Sequence, residues 1–427
     1  MKSIFRNILL IFSGIMIAGA GLSHLLDLTN VSGGILILGL ISLSLAVRGF
    51  EKLKGFSYTL WIFTAVTASM FYPQLFISVG SFQLKRLIVP LLQVIMFGMG
   101  SQMSFKDFTG VIKMPKGVFI GVCSHYLIMP LVGFCIAGIF RFPPEISAGI
   151  ILIGCVPSGL ASNVMSFLAK ANLALAVTVG AISTLLSPFV TPLLMKWLGG
   201  QYIEVNFWSM MLDILNMIIL PIVAGFIFNL FSKKKESLKS IIFQVIAYIL
   251  IIFLTTLVFV KTKNAGMSEF SIQFMKSMGW FFFLPMLAAS LLSYLISGEN
   301  KYMEKILSMI SMVGIALIVT IITASGRDSL LKVGALLMVT SLLHNITGYT
   351  LGYWLSWLAG MPEKDRRTIA FEVGMQNGGL ASGLALQMGK VATVGLAPAI
   401  FGPLMNVTGS LLANFWRGKP VSEENSN

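Results

Sequence analysis

The sequence contains little charge, and this scarcity excludes a water-soluble protein. Of its 427 residues, 11% are charged and 56% are hydrophobic, and the mean hydropathy is +0.89. In water, a globular chain of this composition would expose large apolar patches. The chain is therefore predicted to be embedded in a lipid bilayer.

Residues that usually carry catalysis or hold a tightly bound metal are also scarce. The chain has three histidines and three cysteines, and it contains none of the common zinc, thiol-redox, serine-hydrolase or phosphate-loop patterns. The cysteines lie in apolar stretches, so they predict no disulfide framework. An intramembrane enzyme would need a nucleophile with its base, and a channel would need a charged pore ring. Since the sequence offers neither, both classes are disfavoured.

Long apolar runs are abundant. A helix needs about 17 to 25 residues to cross a bilayer core that is about 30 Å thick. The sequence predicts about 14 such segments, which are residues 6–25, 33–49, 58–75, 84–102, 118–140, 147–169, 173–197, 205–231, 240–260, 277–297, 303–323, 331–358, 366–389 and 392–416. The predicted fold class is an all-α polytopic membrane protein.

The basic residues predict its orientation. Lysine and arginine concentrate in cytoplasmic loops, and most of the 30 basic residues fall on one side of the predicted helices when the N-terminus is placed inside. Both termini are therefore predicted to be cytoplasmic, in a multi-pass protein of the plasma (bacterial inner) membrane. The net charge of +14 follows from these loops. We expect them to attract anionic membrane lipid rather than nucleic acid.

Two polar stretches with glycine interrupt the apolar segments. "PSGLASN" covers residues 157–163 and "EVGMQNGGLAS" covers residues 372–382. At about 1.5 Å per residue, Pro157 lies roughly 15 Å from the outer face and Asn377 roughly 16 Å from the inner face, so both breaks fall near the midplane of helices that run in opposite directions. Unpaired backbone at that depth must line a cavity or be buried in protein. Paired breaks of this kind indicate the binding site of a secondary transporter.

Only two acidic residues lie well inside predicted spans, Asp213 and Glu372. A carboxylate in the membrane is costly, so each of these acids is by default a hypothesis of function. Glu372 belongs to the second interrupted stretch and would compensate the charge of a buried cation. For Asp213 a structural role is favoured over a functional one, because polar neighbours such as Asn216 are close in sequence.

At both interrupted stretches the chain resembles the bile acid:sodium symporter family. "IMPLVGF" at residues 128–134 and "NVTGSLLANFW" at residues 406–416 also carry the resemblance. It implies ten helices in two inverted five-helix repeats, with a core domain that moves against a panel domain and with two discontinuous helices that cross. The resulting division is an extra N-terminal transmembrane helix pair (1–50), a first repeat (57–200), a second, inverted repeat (205–416) with an inserted helix pair (240–297), and a cytoplasmic tail (417–427).

The resemblance implies a first sodium site on the two interrupted stretches. Its ligands would be Ser162, Asn163 and Glu372. The family has further hydroxyl-bearing ligands on the following helix, and these positions are Ala176 and Gly180 here. Neither residue has a side-chain oxygen, although Thr178 and Ser183 are nearby in sequence.

A second sodium site is implied around the second break. It would use Gln376 and the carbonyl groups of Val373 and Met375, and the family places a glutamine where this sequence has His125. An imidazole nitrogen is a poor ligand for a hard cation that prefers oxygen. A titratable ring near Glu372 could instead accept a proton. Sodium coupling, proton coupling and uncoupled transport therefore remain open, with sodium favoured.

The substrate is predicted to be a small or amphipathic organic anion. Amides at the start of a half-helix suit an anion, and the resemblance places the contacts at Ser158, Gly159, Leu160, Asn377 and Asn406. The predicted function is sodium-coupled symport of an organic anion, bile-acid-like or a small carboxylate, by alternating access. No cofactor is predicted, and sodium ions are the only metal expected. The sequence leaves the substrate's identity and the oligomeric state open.

Overall fold

The computed structural model describes residues 3–50, 56–232 and 300–419, together with residues 242, 246, 249, 250, 253, 278–283, 285–287 and 421. Nearly all of this part is helical. A single two-stranded hairpin, β1 (Ser78–Val79) and β2 (Phe82–Gln83), is the only sheet among the described residues. The all-α class predicted from the sequence is confirmed.

The long helices follow the apolar runs. They are α1 (Ser3–Leu25), α2 (Thr29–Val47), α3 (Phe56–Phe71), α5 (Ile88–Gln102), α8 (Pro115–Phe140), α9 (Pro144–Cys155), α10 (Leu160–Leu168), α11 (Leu173–Leu198), α12 (Phe207–Ile214), α13 (Leu220–Ser232), α14 (Asn300–Ser325), α15 (Arg327–Leu358), α16 (Glu363–Gly374), α17 (Gly378–Gln387) and α18 (Leu396–Arg417). Short helices α4 (Gln74–Ile77), α6 (Phe105–Phe108) and α7 (Gly110–Lys113) lie in connections, and a π-helical turn (Leu215–Ile219) joins α12 to α13.

Seven helices of the described part are long and apolar enough to cross a membrane, and four more are apolar but shorter. Twelve of the predicted segments coincide with these helices or with a pair of half-helices. The other two, 240–260 and 277–297, lie largely outside the described residues. The total of about 14, the inserted helix pair and the tail therefore remain predictions.

Both predicted breaks are present. Residues between α9 and α10 leave the helical conformation at Val156, where the backbone is extended and where Pro157 offers no amide donor,. The chain between α16 and α17 is likewise extended at Met375. The second half-helix then begins at a side-chain cap, because the Oδ1 atom of Asn377 accepts a hydrogen bond from the amide of Leu380 at 3.0 Å,.

The two breaks cross each other and pair as a short antiparallel bridge between Ser158 and Gln376. The amide of Gly159 donates to the Met375 carbonyl at 3.1 Å, and the amide of Asn377 donates to the Pro157 carbonyl at 2.9 Å. Each interruption thus satisfies backbone groups of the other, as buried irregular backbone requires. A Cβ atom on residue 159 would lie 2.7 Å from the Gln376 carbonyl oxygen, so this close approach requires glycine,.

The helices form two packed groups. The four half-helices α9, α10, α16 and α17 pack with α8, α11, α15 and α18, and we call this set the crossing group. The second set, which we call the lateral group, contains α3, α5, α12, α13 and α14. Within it, α5 and α13 approach closely, since a Cβ atom on Gly225 would lie 2.1 Å from the Phe97 carbonyl oxygen,.

The N-terminal helix pair attaches to the lateral group. Helices α1 and α2 pack on each other, and α2 packs on α3, where Gly33 lies against the ring of Phe71. The Ser57 hydroxyl donates to the Ser44 carbonyl at 2.9 Å across the same contact. Among the described residues, α1 and α2 therefore make their main contacts with each other and with α3.

Candidate cation site at the helix crossing

Glu372 lies in the last turn of α16, fully buried beside the crossing. Its Oε2 atom accepts a hydrogen bond from the Ser158 hydroxyl at 2.6 Å. Its Oε1 atom is buried and has no hydrogen-bond partner in the part of the chain that the structure describes. Half of this carboxylate is therefore available to a cation.

Two more buried oxygens on predicted sodium ligands share this property. Six buried side-chain polar atoms lack a hydrogen-bond partner among the described residues, and three of them belong to predicted sodium ligands. These three are Asn163 Oδ1, Glu372 Oε1 and Gln376 Oε1, which we call the site oxygens. An unpaired buried oxygen is costly, and a hard cation offsets that cost through oxygen coordination. The residues present therefore fit a sodium ion.

The other predicted oxygen donors lie in the same two segments. The Ser162 hydroxyl donates to the Gly159 carbonyl at 2.7 Å and lies beside Glu372. The Val373 carbonyl accepts from the side-chain amide of Gln376 at 2.6 Å, and the Met375 carbonyl accepts from an amide of the crossing. A hydroxyl or carbonyl oxygen has two lone pairs, so each of these oxygens retains capacity for a cation.

His125 joins the two half-helices that end at the crossing. Its Nδ1 atom lies 2.8 Å from the Glu372 carbonyl oxygen, and its Nε2 atom lies 2.9 Å from the Val156 carbonyl oxygen. Both ring nitrogens are thus directed at backbone oxygens. Because backbone oxygens occupy both ring nitrogens, the role of His125 as a sodium ligand stays a prediction.

Helix α11 passes the carboxylate at Gly180. A Cβ atom there would lie 3.4 Å from Ser158 Oγ and 3.5 Å from Glu372 Oε2. Neither nearby hydroxyl is hydrogen-bonded to the carboxylate. Thr178 donates to the Asp107 carbonyl at 2.8 Å, away from the site, and Ser183 donates to the Gly180 carbonyl at 3.0 Å.

The predicted substrate contacts lie around the crossing, and they differ in whether their polar groups are already hydrogen-bonded. The amide of Gly159 is bonded to Met375, and the Asn377 side chain caps α17. Ser158 is engaged with Glu372. Leu160 is exposed at the start of α10, and Asn406 is half-buried on α18. The crossing itself uses the Gly159 amide, so an anion contact through that amide stays a prediction without support from this geometry.

Two polar features of the structure were not predicted from the sequence. The buried Ser166 hydroxyl, one turn beyond Ser162, has no partner within the described residues, and its spacing of four residues could have revealed it. On the lateral group, the Gln93 side-chain amide donates to the Asn216 carbonyl at 3.3 Å beside the π-helical turn. Asp213, the other acid inside a predicted span, is half-buried about one turn before Asn216 in the chain.

Comparisons with known proteins identify a family and several relatives. The model of the sodium bile acid symporter family matches residues 89–269. The chain is 33% identical to an uncharacterized sodium-dependent transporter, YocS, of Bacillus subtilis (strain 168) over 374 residues, which are 87% of this chain and 94% of that protein. It is 27% identical to a probable chloroplastic sodium/metabolite cotransporter, BASS1, of Arabidopsis thaliana over 326 residues, which are 76% of this chain and 65% of that protein.

Proposed function

Because the chain belongs to the sodium bile acid symporter family, we propose that it is a secondary active transporter that couples the movement of an organic anion to sodium. It is a transport protein and not an enzyme. The relatives named above are described as sodium-dependent or as sodium/metabolite cotransporters, which supports sodium as the coupling ion.

The observation that carries the proposal is the set of site oxygens. Asn163 belongs to the first interrupted stretch, whereas Glu372 and Gln376 belong to the second. A sodium ion at the first proposed site, bound by Asn163 and Glu372, would hold the two stretches together and would balance the Glu372 charge, while Gln376 would serve the second proposed site. Ser162 and the carbonyls of Val373 and Met375 complete the proposed set of donors.

The proposed anion site lies beside these donors. Helices α10 and α17 both begin at the crossing, so their first amides point toward it and favour negative charge. Ser158, Leu160, Asn377 and Asn406 are the proposed contacts. A carboxylate at Glu372 without a bound cation would repel an anion at these contacts. Sodium would therefore bind first and permit anion binding, which is the basis of coupling.

Alternating access would follow from the two helix groups. The crossing group carries both proposed sites, and the lateral group faces it through α17. We propose that the two groups correspond to the core and panel expected for the family, and that their relative movement exposes the site to each side in turn. We also propose that the chain contains the two inverted repeats that the family resemblance implies.

One observation favours a second candidate, proton coupling. A neutral imidazole donates one hydrogen bond, whereas the protonated ring donates two. His125 faces two carbonyl oxygens at hydrogen-bonding distance, and only the protonated ring satisfies both. Movement of that proton during the cycle would couple transport to pH.

Uptake into proteoliposomes distinguishes the two candidates. Purified protein is reconstituted, and uptake of a radiolabelled bile acid, sulfated steroid or small carboxylate is measured with an inward sodium gradient or an inward proton gradient imposed separately. Sodium coupling predicts concentrative uptake with sodium at constant pH. Concentrative uptake with protons alone supports the second candidate. Linear uptake without saturation under both gradients would indicate a channel.

A further inference from the structure

Helix α11 lacks the hydroxyl oxygens that the family resemblance implies at Ala176 and Gly180. The backbone at Gly180 nevertheless faces the carboxylate, since a Cβ atom there would lie 3.5 Å from Glu372 Oε2. A side chain at this position would enter the space between Glu372 and Ser158. The oxygen missing from α11 therefore leaves a gap in the donor set at a defined place.

Ser158 occupies that place. Its hydroxyl is buried, lies 3.4 Å from the position of a Cβ atom on residue 180, and donates to Glu372 Oε2 at 2.6 Å. A hydroxyl has one proton and two lone pairs. Because the proton is given to the carboxylate, the lone pairs remain for a cation, and the negative charge increases their donor strength.

We propose that Ser158 is a sodium ligand of this chain, which supplies from the crossing the hydroxyl oxygen that α11 lacks at Gly180. This proposal rests on the sodium-coupled function proposed above. It reassigns Ser158 from substrate contact to cation site. It also accounts for the small residue at position 180, because a larger side chain on α11 would displace the Ser158 hydroxyl from the carboxylate.

A purely structural role is a weaker explanation of the Ser158 hydroxyl. The extended segment that carries it is already fixed by two backbone hydrogen bonds, from Gly159 to Met375 and from Asn377 to Pro157. Its neighbour Ser162 lies near the same carboxylate. The crossing therefore does not depend on Ser158 for its connection, whereas the cation site gains an oxygen from it.

The test measures sodium binding without transport. The melting temperature of purified full-length protein is recorded against sodium chloride concentration, with choline chloride keeping the ionic strength constant, and the stabilisation gives an apparent sodium affinity. We expect Ser158→Ala to weaken this affinity about tenfold, as expected for loss of one bond to a charged partner. Ser158→Gly makes the same comparison if the alanine variant does not purify as folded protein.

The double variant Ser158→Ala with Gly180→Ser moves the hydroxyl back to α11. We expect it to recover most of the sodium affinity, whereas Ser158→Ala with Gly180→Ala, which fills the same space without an oxygen, should not. Wild-type sodium affinity in Ser158→Ala, or equal recovery in both double variants, would overturn the proposal. A wild-type protein that sodium does not stabilise at all would instead contradict the proposed sodium-coupled function.

Discussion

Among single residues, Glu372 decides whether a cation binds at the crossing. Its neutral isostere, Glu372→Gln, keeps the size of the side chain and removes the charge that balances sodium. We expect this variant to fold, to lose sodium-dependent stabilisation and to lose gradient-driven uptake. The measurements are the sodium titration of the melting temperature and uptake into proteoliposomes.

Glu204→Gln is the matched control, because Glu204 is an exposed acid between α11 and α12. We expect it to behave as the wild type in both assays. Sodium-dependent stabilisation of Glu372→Gln at wild-type concentrations would show that the carboxylate is not at the cation site.

His125 lies where the family resemblance implies a glutamine. Glutamine at this position can still donate to one of the two carbonyl groups, and it adds an amide oxygen, which a hard cation prefers to a ring nitrogen. We therefore expect His125→Gln to lower the sodium concentration that gives half of the thermal stabilisation, and to make uptake depend less on a proton gradient.

His344→Gln is the control for His125→Gln. His344 is also buried and also bonded to a backbone carbonyl, that of Met129 at 2.9 Å, but it lies on α15. It should change neither ion response. If both variants changed the sodium response equally, the effect would come from the loss of a buried histidine and not from its position.

Residue chemistry explains which parts of the site could be predicted. Glu372 was predicted as an acid inside a membrane span, and Asn163 and Gln376 were predicted by resemblance; their oxygens are the site oxygens. The hydrogen bond from Ser158 to Glu372 could not be predicted, since it joins residues 214 positions apart and depends on how the two breaks pair. The use of the Gly159 amide by Met375 was missed for the same reason.

Among the elements, the two broken helices use their glycines differently. A Cβ atom on Gly159 would lie 2.7 Å from the Gln376 carbonyl oxygen, whereas one on Gly378 would meet nothing closer than the Pro398 carbonyl oxygen at 3.5 Å. We expect Gly159→Ala to separate the crossing strands, to cost about 1 to 3 kcal/mol of stability, and to weaken sodium binding in the folded protein.

Gly378→Ala makes the same chemical change at the other break and serves as the control. Because its Cβ atom would fit and because alanine favours helix, we expect little change in stability and in sodium affinity. Equal losses in both variants, measured by melting temperature and sodium titration, would contradict the role of the close approach at Gly159.

The breaks were predictable at the element scale because proline, glycine and amide residues occur in the middle of apolar runs. The π-helical turn at residues 215–219 was not, since "LNMII" contains no glycine or proline. Its irregularity accompanies the contact between Gln93 and Asn216. Such tertiary contacts have no periodic signal in the sequence.

On the scale of the whole molecule, corresponding positions of the two interrupted stretches differ in exposure. Leu160 and Val164 on α10 are 41% and 54% exposed, whereas Leu380 and Leu384 on α17 are 0% and 1% exposed. The difference arises because α17 packs against α5, α12 and α14 of the lateral group, while the main contacts of α10 are with α11, α16 and α18. Sequence alone could not reveal this, since both stretches read "GLAS".

This asymmetry predicts a conformation that is closed around α17 and open around α10. In a variant without Cys123, Cys135 and Cys155, we expect Val164→Cys to react with a hydrophilic maleimide and Leu384→Cys to be protected. Under the predicted topology α10 ends at the cytoplasm, so Val164→Cys should react in inside-out vesicles and not in right-side-out vesicles. Protection of Val164→Cys from both sides would mean that α10 faces lipid. Faster reaction of Leu384→Cys from the outside would mean that the protein rests open to that side, and that the packing of α17 on the lateral group is the less populated arrangement.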